Sequence, residues 1–161
     1  MMKPWTRMDW GDMCLQYWLD DEKRVGCSIY PAGKIPQLTE HRKNIKQEAC
    51  IVPLVDVFGG EFSADILDPL VQLKVRGDGG AGRFGAGTTM RNSESSYRLK
   101  LVCQDCVEEE DSIIVKTTLK DDRGLRVIHH AKRDCPSSPY VRIWTEVFNA
   151  RSETITLDML R

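Results

Sequence analysis

The chain has 161 residues, with 23 Lys and Arg against 24 Asp and Glu and a formal net charge of −1. This length suits one domain with a real core, and the balanced charge argues against a dedicated nucleic-acid binder. The longest apolar runs are far too short to span a membrane, and residues 1–13 lack the apolar core of a signal peptide. We therefore expect a cytoplasmic protein with no membrane partner.

Short strand-like runs dominate the chain, and they are separated by acidic and glycine-containing turns that are typical of hairpins. Gly124 is well placed for a positive φ angle in one such turn. Trp5 and Trp10 precede the first run in a polar context and are expected at a contact surface. The predicted strands are Cys14–Leu19, Val25–Tyr30, Leu70–Arg76, Tyr97–Val102, Ile113–Leu119 and Leu125–His130. This pattern predicts an all-β antiparallel sandwich, with 31–64 as its least regular part and a short helix near Gln37–Gln47.

Residues 140–161 predict two further strands with different patterns. The first carries bulky apolar groups on both faces, so it is expected to be covered on both sides, with Trp144 in the core beside Trp18. In the second, three apolar residues alternate with polar ones, as in a half-buried strand. They are Ile155, Leu157 and Met159. Because the chain stops within this alternation, the sequence predicts an exposed edge and a longer parent protein that continues beyond residue 161.

The cysteines are spaced too widely for an obvious disulfide framework, so reduced thiols that act as small hydrophobes are expected. They are Cys14, Cys27, Cys50, Cys103, Cys106 and Cys135. The Cys103–Cys106 pair has the spacing of half a zinc site or of a redox pair. A structural zinc site needs about four ligands, and no second such pair is present. No metal and no cofactor are expected.

The glycine-rich segment 77–87 is the strongest local candidate for function. Gly77, Gly79 and Gly82 match a G-x-G-x-x-G pattern, but the residues that follow lack a helical period, which argues against nucleotide binding. Two interpretations stay open: a plain loop between strands, or a loop whose backbone closely approaches a ligand or a neighbouring domain. The side chains that could contact a polar, ring-shaped ligand here are Asp78, Arg83, Phe84, Arg91 and Asn92.

The remaining acidic residues and histidines do not form a recognisable catalytic pattern. Glycosidases use a pair of carboxylates, but no pair here sits in a context that marks a nucleophile. His129 and His130 are neighbours in a predicted strand, so their side chains point to opposite faces and are poorly placed to share one metal. A cross-strand polar pair or a partly buried ring is the expected outcome.

Two segments together resemble a known family. Residues 69–93 place a strand, a glycine-rich loop and the element T-M-R-N-S in that order. Residues 140–161 add Y-V-R-I-W-T-E-V-F-N, a polar turn and E-T-I-T-L-D-M-L-R, and L-K-D-D-R-G-L-R-V-I-H-H lies between. In combination these segments resemble the N-terminal β-domain of bacterial α-galactosidases of glycoside hydrolase family 36.

The resemblance implies an antiparallel β-supersandwich of the galactose-mutarotase type, incomplete at its C-terminus, within a single domain 1–161. It implies that a (β/α)8 barrel with the catalytic aspartates of a retaining glycosidase follows, so this chain alone is expected to be inactive. The implied partners are that barrel, a galactoside and other copies of the protein. Many family members carry G-D-F-R where this chain has Gly82-Arg83-Phe84-Gly85. The alternatives left open are a free-standing carbohydrate-binding sandwich and an intracellular interaction module.

Overall fold

The computed structural model describes residues 3–32, 69–79, 93–135 and 137–161. Almost all regular structure in these ranges is antiparallel β-strand, so the predicted all-β sandwich class is confirmed. The strands are β1 (Lys3–Trp10), β2 (Met13–Leu19), β3 (Val25–Pro31), β4 (Leu73–Val75), β5 (Lys100–Glu109), β6 (Ser112–Lys120), β7 (Leu125–Arg133), β8 (Arg142–Asn149) and β9 (Leu157–Leu160). A short helix, α1 (Glu94–Arg98), precedes β5. The predicted helix near Gln37–Gln47 lies outside the described residues.

The strands form three antiparallel sheets. The three-stranded sheet has the order β1-β2-β3, and the four-stranded sheet has the order β5-β6-β7-β8. Strands β4 and β9, which are far apart in sequence, pair as a two-stranded sheet in which Leu73 lies opposite Leu160. Each neighbouring pair in the two larger sheets is also consecutive in the sequence, so hairpin connections build both of them.

The core lies between the facing surfaces of these sheets. Leu15 and Tyr17 come from β2, Leu73 comes from β4, and Leu125 and Val127 come from β7; all five side chains are fully buried. The odd-numbered residues of β7 point inward because side chains alternate across a strand. We call this surface the inner face of the four-stranded sheet, and the opposite surface its outer face.

The turn between β6 and β7 is fixed by one buried carboxylate and one glycine. Oδ1 of Asp121 accepts hydrogen bonds from the backbone N–H groups of Arg123 at 2.9 Å and Leu125 at 2.6 Å. Oδ2 accepts from the guanidinium of Arg151 at 2.7 Å, which ties the turn after β8 to the same carboxylate. Gly124 has φ +94°, as expected from the sequence, and a Cβ there would lie 3.3 Å from the carbonyl carbon of Ala150.

The prediction that β8 is covered on both sides is wrong. Trp144 is 40% exposed and Phe148 is 36% exposed, because both project from the outer face. Among the described strands β8 pairs only with β7, at the edge of the four-stranded sheet. Bulky side chains on both faces of a strand therefore do not require a covering layer on both faces. Trp18, expected in the core, is only partly buried.

The N-terminal residues form a strand that the sequence prediction missed. In β1, Thr6, Met8 and Trp10 alternate with more exposed side chains, and Trp10 is buried in the core at 3% exposure. The expectation of an exposed contact residue is thus wrong for Trp10. For Trp5, which is 40% exposed, the expected exposure is confirmed, and its role in a contact stays a prediction.

The final strand, β9, is shorter than the sequence predicts, and its side chains are more exposed than those of a half-buried strand. All four residues of β9 are exposed, including Leu157 and Met159, so the predicted exposed edge is confirmed for these two side chains. Ile155 lies before the strand and packs against the core, so the prediction is wrong for this residue. The strand nevertheless has a partner, because its backbone is hydrogen-bonded to β4.

Candidate functional site

Asp78, the first residue of the predicted ligand loop, lies at a junction between β4 and α1. Its Oδ2 accepts hydrogen bonds from the backbone N–H groups of Val75 at 2.9 Å and Ser95 at 3.4 Å. The hydroxyl of Ser95 donates to Oδ1 at 3.0 Å. Both carboxylate oxygens are therefore used within the protein, which gives Asp78 a structural role at the base of the loop.

Serines of the T-M-R-N-S element and of α1 complete this junction. Ser93 is the N-cap of α1, and its Oγ accepts from the backbone N–H of Ser96 at 3.1 Å. The hydroxyl groups of Ser93 and Ser96 both donate to the carbonyl of Leu73 in β4. In addition, the backbone N–H of Glu94 donates to the carbonyl of Gly79 at 3.0 Å. The chain segments on either side of residues 80–92 are thus held together.

The other four residues of the predicted ligand loop, Arg83, Phe84, Arg91 and Asn92, lie outside the described residues. A sugar contact by this loop stays a prediction. The junction supports it in one respect, since rigid elements at both ends position a loop better than free ends do.

A network of charged side chains surrounds α1 at the surface. Glu94 accepts from Arg98 at 2.8 Å and also from Arg123, and Arg98 reaches Asp122 at 2.9 Å. These guanidinium groups hold the pKa values of Glu94 and Asp122 below their usual range, chiefly through the hydrogen bonds from Arg98. Exposed pairs of this kind contribute little to stability, and acids held in the charged form are poorly suited to proton transfer.

The outer face of the four-stranded sheet carries two aromatic side chains, each with a planar neighbour. The imidazole of His130 stacks on the ring of Trp144, with centroids 4.6 Å apart and planes inclined by 7°. The guanidinium of Arg126 lies 4.5 Å from the centroid of Phe148. Because both contacts join cross-strand neighbours of β7 and β8, the registry of the hairpin positions the rings.

The inner face borders a cavity of about 280 Å3, which we call the inter-sheet cavity. Its walls come from β2, β3, the residues before β4, β7, β8 and the end of the chain. The lining residues are Leu15, Cys27, Ile29, Pro69, Leu70, Gln72, His129, Ala131, Ile143, Thr145 and Arg161. Most of these residues are apolar, and the four polar ones form two neighbouring pairs, His129 with Thr145 and Gln72 with Arg161.

His129 is the unusual member of this cavity. It is only 5% exposed, and its Nδ1 is buried without a hydrogen-bond partner among the described residues. Burial lowers its pKa from the ordinary 6.5 to about 4, with a smaller contribution from the adjacent His130. The imidazole is therefore neutral at pH 7 and can donate or accept a hydrogen bond. The sequence contained a signal for this residue, which interrupts the apolar alternation of Leu125, Val127 and Ala131.

Cys27 also lines the inter-sheet cavity, but its chemistry is suppressed by burial. Desolvation raises the pKa of this thiol to about 12, so the thiolate that would act as a nucleophile is absent at neutral pH. Burial likewise raises the pKa of Tyr17. Neither group is suited to covalent catalysis as it stands.

The Cys103–Cys106 pair does not form a joint site. In β5 these residues lie opposite Thr118 and Val115 of β6, which project from the outer and inner faces, so the two side chains point away from each other. All five cysteines in the described ranges are free thiols. The expectation of buried thiols is confirmed for Cys14 and wrong for Cys103 and Cys106, which are exposed.

The part of the chain that the structure describes lacks two further kinds of feature. No group of three or more His, Cys, Asp or Glu side chains there could hold a metal ion. No helix there has the length and apolar character needed to cross a membrane. The chain was also compared with protein-family models, with curated proteins and with solved structures, and none of these comparisons found a match.

Proposed function

We propose that this chain is the N-terminal β-supersandwich portion of an α-galactosidase-like glycoside hydrolase, in which its own role is non-catalytic. The observation that carries the proposal is an antiparallel sheet framework that leaves large apolar side chains exposed. Ile143 is 51% exposed, and Met159 and Leu160 are 48% and 44% exposed. Exposed apolar surface of this kind marks contact with further protein.

The arrangement of segments also supports the proposal. Of the segments that carry the family resemblance, β4, Asp78 and Gly79 at the start of the glycine-rich segment, and Ser93 at the end of T-M-R-N-S meet at one junction. In the proposed enzyme the catalytic barrel covers these exposed apolar side chains. The loop that holds Arg83, Phe84, Arg91 and Asn92 then reaches the sugar pocket of this subunit or of a neighbouring copy. The proposal includes a cytoplasmic homo-oligomer that hydrolyses terminal α-galactosides.

Hydrolysis of a nitrophenyl α-galactoside tests this proposal. We expect no nitrophenol release by the purified chain, and release by the product of any longer reading frame that contains it. Substitution of both catalytic aspartates in the longer product is the control for contaminating enzymes. Turnover by the isolated chain at the rate of the longer product would contradict the non-catalytic role. An inactive longer product would contradict the assignment to α-galactosidases.

A second candidate is a carbohydrate-binding sandwich, and the exposed rings of Trp144 and Phe148 favour it. Sugars present C–H groups to aromatic faces, and a ring held flat by its neighbour loses little entropy on binding. Titration of the isolated chain with galactose and raffinose, followed by tryptophan fluorescence, is the test. Saturable binding that Trp144→Ala abolishes would support this candidate. Trp5→Ala, which removes an equally exposed tryptophan from another sheet, is the matched control.

A further inference from the structure

The outer face of the four-stranded sheet carries more basic than acidic residues. Residues paired across neighbouring strands project from the same face, so the registry assigns side chains to this face. The six basic residues at outer-face positions are Lys100, Lys116, Lys120, Arg126, Lys132 and Arg142. The three acidic residues are Asp105, Glu109 and Glu146, and Glu109 is already paired with Lys132 at 3.4 Å. The face is therefore cationic, although the whole chain has a net charge of −1.

Three of these cations form a row across neighbouring strands. Lys100 lies opposite Lys120, and Lys120 lies opposite Arg126. None of the three makes an ion pair with a residue that the structure describes. Like charges directly opposite one another in a sheet are destabilising, so a bound counter-charge would stabilise the row. Because it crosses three strands and spans about 10 Å, a chain of anionic groups matches it better than a single anion does.

Two aromatic rings border the row on β8. Phe148 lies opposite Arg126, whose guanidinium is 4.5 Å from the ring centroid. Trp144 projects from the same face of the strand, about 13 Å from Phe148 at roughly 3.3 Å per residue. The two side chains are 36% and 40% exposed. Exposed rings beside cations are the combination that binds single-stranded nucleic acid, because bases stack on the rings while the cations contact phosphates.

A surface cavity extends the row at the side of α1. Lys100 and Lys120 line this cavity of about 270 Å3 together with Tyr97, whose side chain is 43% exposed. The two acids that also line it, Glu22 and Asp122, are already paired with arginines. The two lysines are therefore the charges in this cavity that can bind an added anion.

We propose that the outer face binds single-stranded nucleic acid. Its phosphates contact Lys100, Lys120 and Arg126. Its bases stack on Trp144 and Phe148. A neutral sugar would use the rings but would leave the cations without a counter-charge, and a double helix would keep its bases out of reach of the rings. The balanced charge of the whole chain, which argues against a dedicated nucleic-acid binder, averages over this face.

The site is independent of the proposed role in galactoside hydrolysis. It involves neither the glycine-rich segment nor Ile143, Met159 and Leu160, which the barrel is proposed to cover. No glycosidic bond takes part in it.

Fluorescence anisotropy of a labelled single-stranded oligothymidine of about 12 nucleotides tests the site on the purified chain. Three phosphate contacts predict a slope of about −2 for the logarithm of the association constant against that of the salt concentration, and hence about 20-fold weaker binding as salt rises from about 50 to 200 mM. Combining Lys120→Gln with Arg126→Gln should reduce the slope to about −0.7. Both side chains are exposed, so the variant is expected to fold. Arg76→Gln, which removes an exposed cation beside β4, is the matched control and should leave the slope unchanged.

Substitutions on β8 test the contact with bases. Trp144→Ala should weaken binding about tenfold, and Trp144→Phe, which retains a ring, should keep most of the affinity. Glu146→Gln removes a negative charge from between the two rings and should strengthen binding about threefold. Trp5→Ala, which removes an equally exposed tryptophan from another sheet, should leave the affinity unchanged.

Several outcomes would overturn the proposal. They are the absence of saturable binding, the same salt slope in the double variant as in Arg76→Gln, equal affinities of Trp144→Ala and Trp5→Ala, and displacement of the oligonucleotide by raffinose. Equal affinity for inorganic polyphosphate would also overturn it, because the rings would then take no part. Tighter binding of duplex DNA or of phosphatidylserine vesicles would assign the face to a different partner. None of these outcomes affects the nitrophenyl α-galactoside test, so failure of this site and failure of the proposed function can be told apart.

Discussion

The two faces of the β7–β8 hairpin use the same residue type in opposite ways. His129 points to the inner face, where it borders the inter-sheet cavity and its Nδ1 has no partner among the described residues. His130, the next residue, points to the outer face, where it lies flat against Trp144. Its Nε2 is 2.8 Å from Oε1 of Glu146, although the atoms are not aligned for a hydrogen bond. Both rings are 5% exposed.

The two histidines are equally buried, but for different reasons. His129 is buried at the inner face, where it lines the inter-sheet cavity, whereas His130 is buried at the outer face, where it stacks on a Trp144 ring that is itself 40% exposed. The surroundings of His129 are part of the core, so disturbing them destabilises the protein. Trp144 lies on the outer face, so a substitution can remove it without affecting the core. Four experiments test this distinction, in decreasing order of expected effect.

Truncation of an inner-face side chain should have the largest effect. Leu125→Ala removes a fully buried side chain and leaves a void, so we expect the free energy of unfolding to fall by about 3 kcal/mol. Ile128→Ala, which removes a partly exposed aliphatic side chain from the outer face of the same strand, should cost about 1 kcal/mol. Urea denaturation followed by circular dichroism measures both. Equal losses would show that the two faces are equally covered.

Acidification should act on the inner face through His129. Its folded-state pKa of about 4 lies below the ordinary 6.5, so between these pH values the unfolded chain binds a proton that the folded chain does not. Stability should therefore be nearly unaffected by this group above pH 6.5 and should fall by about 2.5 kcal/mol as the pH drops from 6.5 to 4. His129→Gln should remove this part of the pH dependence of urea denaturation, and His130→Gln should retain it. An unchanged profile in His129→Gln would contradict a neutral buried imidazole.

Removal of the Trp144 side chain from the outer face should have a smaller effect on stability. Trp144→Ala uncovers His130 and loses one stacking contact, so we expect a loss of about 1 kcal/mol in the free energy of unfolding. A tryptophan in the core would cost about 3–5 kcal/mol. A loss in that higher range would mean that a further layer covers Trp144 in solution.

The cation–π contact between Arg126 and Phe148 should contribute least to stability. Arg126→Gln removes an exposed cation–π contact, which is worth about 0.5 kcal/mol at a solvated site. We expect a decrease of a degree or two in the melting temperature, comparable to that of Arg76→Gln, which removes an exposed ion pair elsewhere. A decrease several times larger for Arg126→Gln alone would show that this arginine organises the outer face.

The sequence predicted the elements whose signals are local. The turn at Asp121–Gly124 was recognised because a glycine with positive φ follows an acidic run, and the strands on either side have clear alternation. The helix α1 was missed because a helix as short as Glu94–Arg98 has no periodicity to detect. Its local signals are the N-cap Ser93, an acidic residue in the first turn and a basic residue in the last turn. The prediction for β8 failed because amino-acid type does not reveal which face another sheet covers.

The candidate site was only partly predictable for the same reason. The position of Asp78 at the start of a loop was evident, but its bonds to Val75 and Ser95 depend on a contact between β4 and α1. The inter-sheet cavity brings together residues from both larger sheets and from the final strand region, so no window of sequence contains it. His129 was noticed as half of a histidine pair, whereas its interruption of an apolar face was the more informative signal.

The junction at Asp78 should make the protein tolerant of sequence changes within residues 80–92. The carbonyl of Gly79 accepts from the N–H of Glu94, and Asp78 bonds to Ser95, so the chain enters and leaves residues 80–92 at nearly the same point. The free-energy cost of closing a loop grows only with the logarithm of its length. Insertions, deletions and new side chains between these ends should therefore leave β4 and β5 in place. The length and side chains of this segment can change while the sheets are kept.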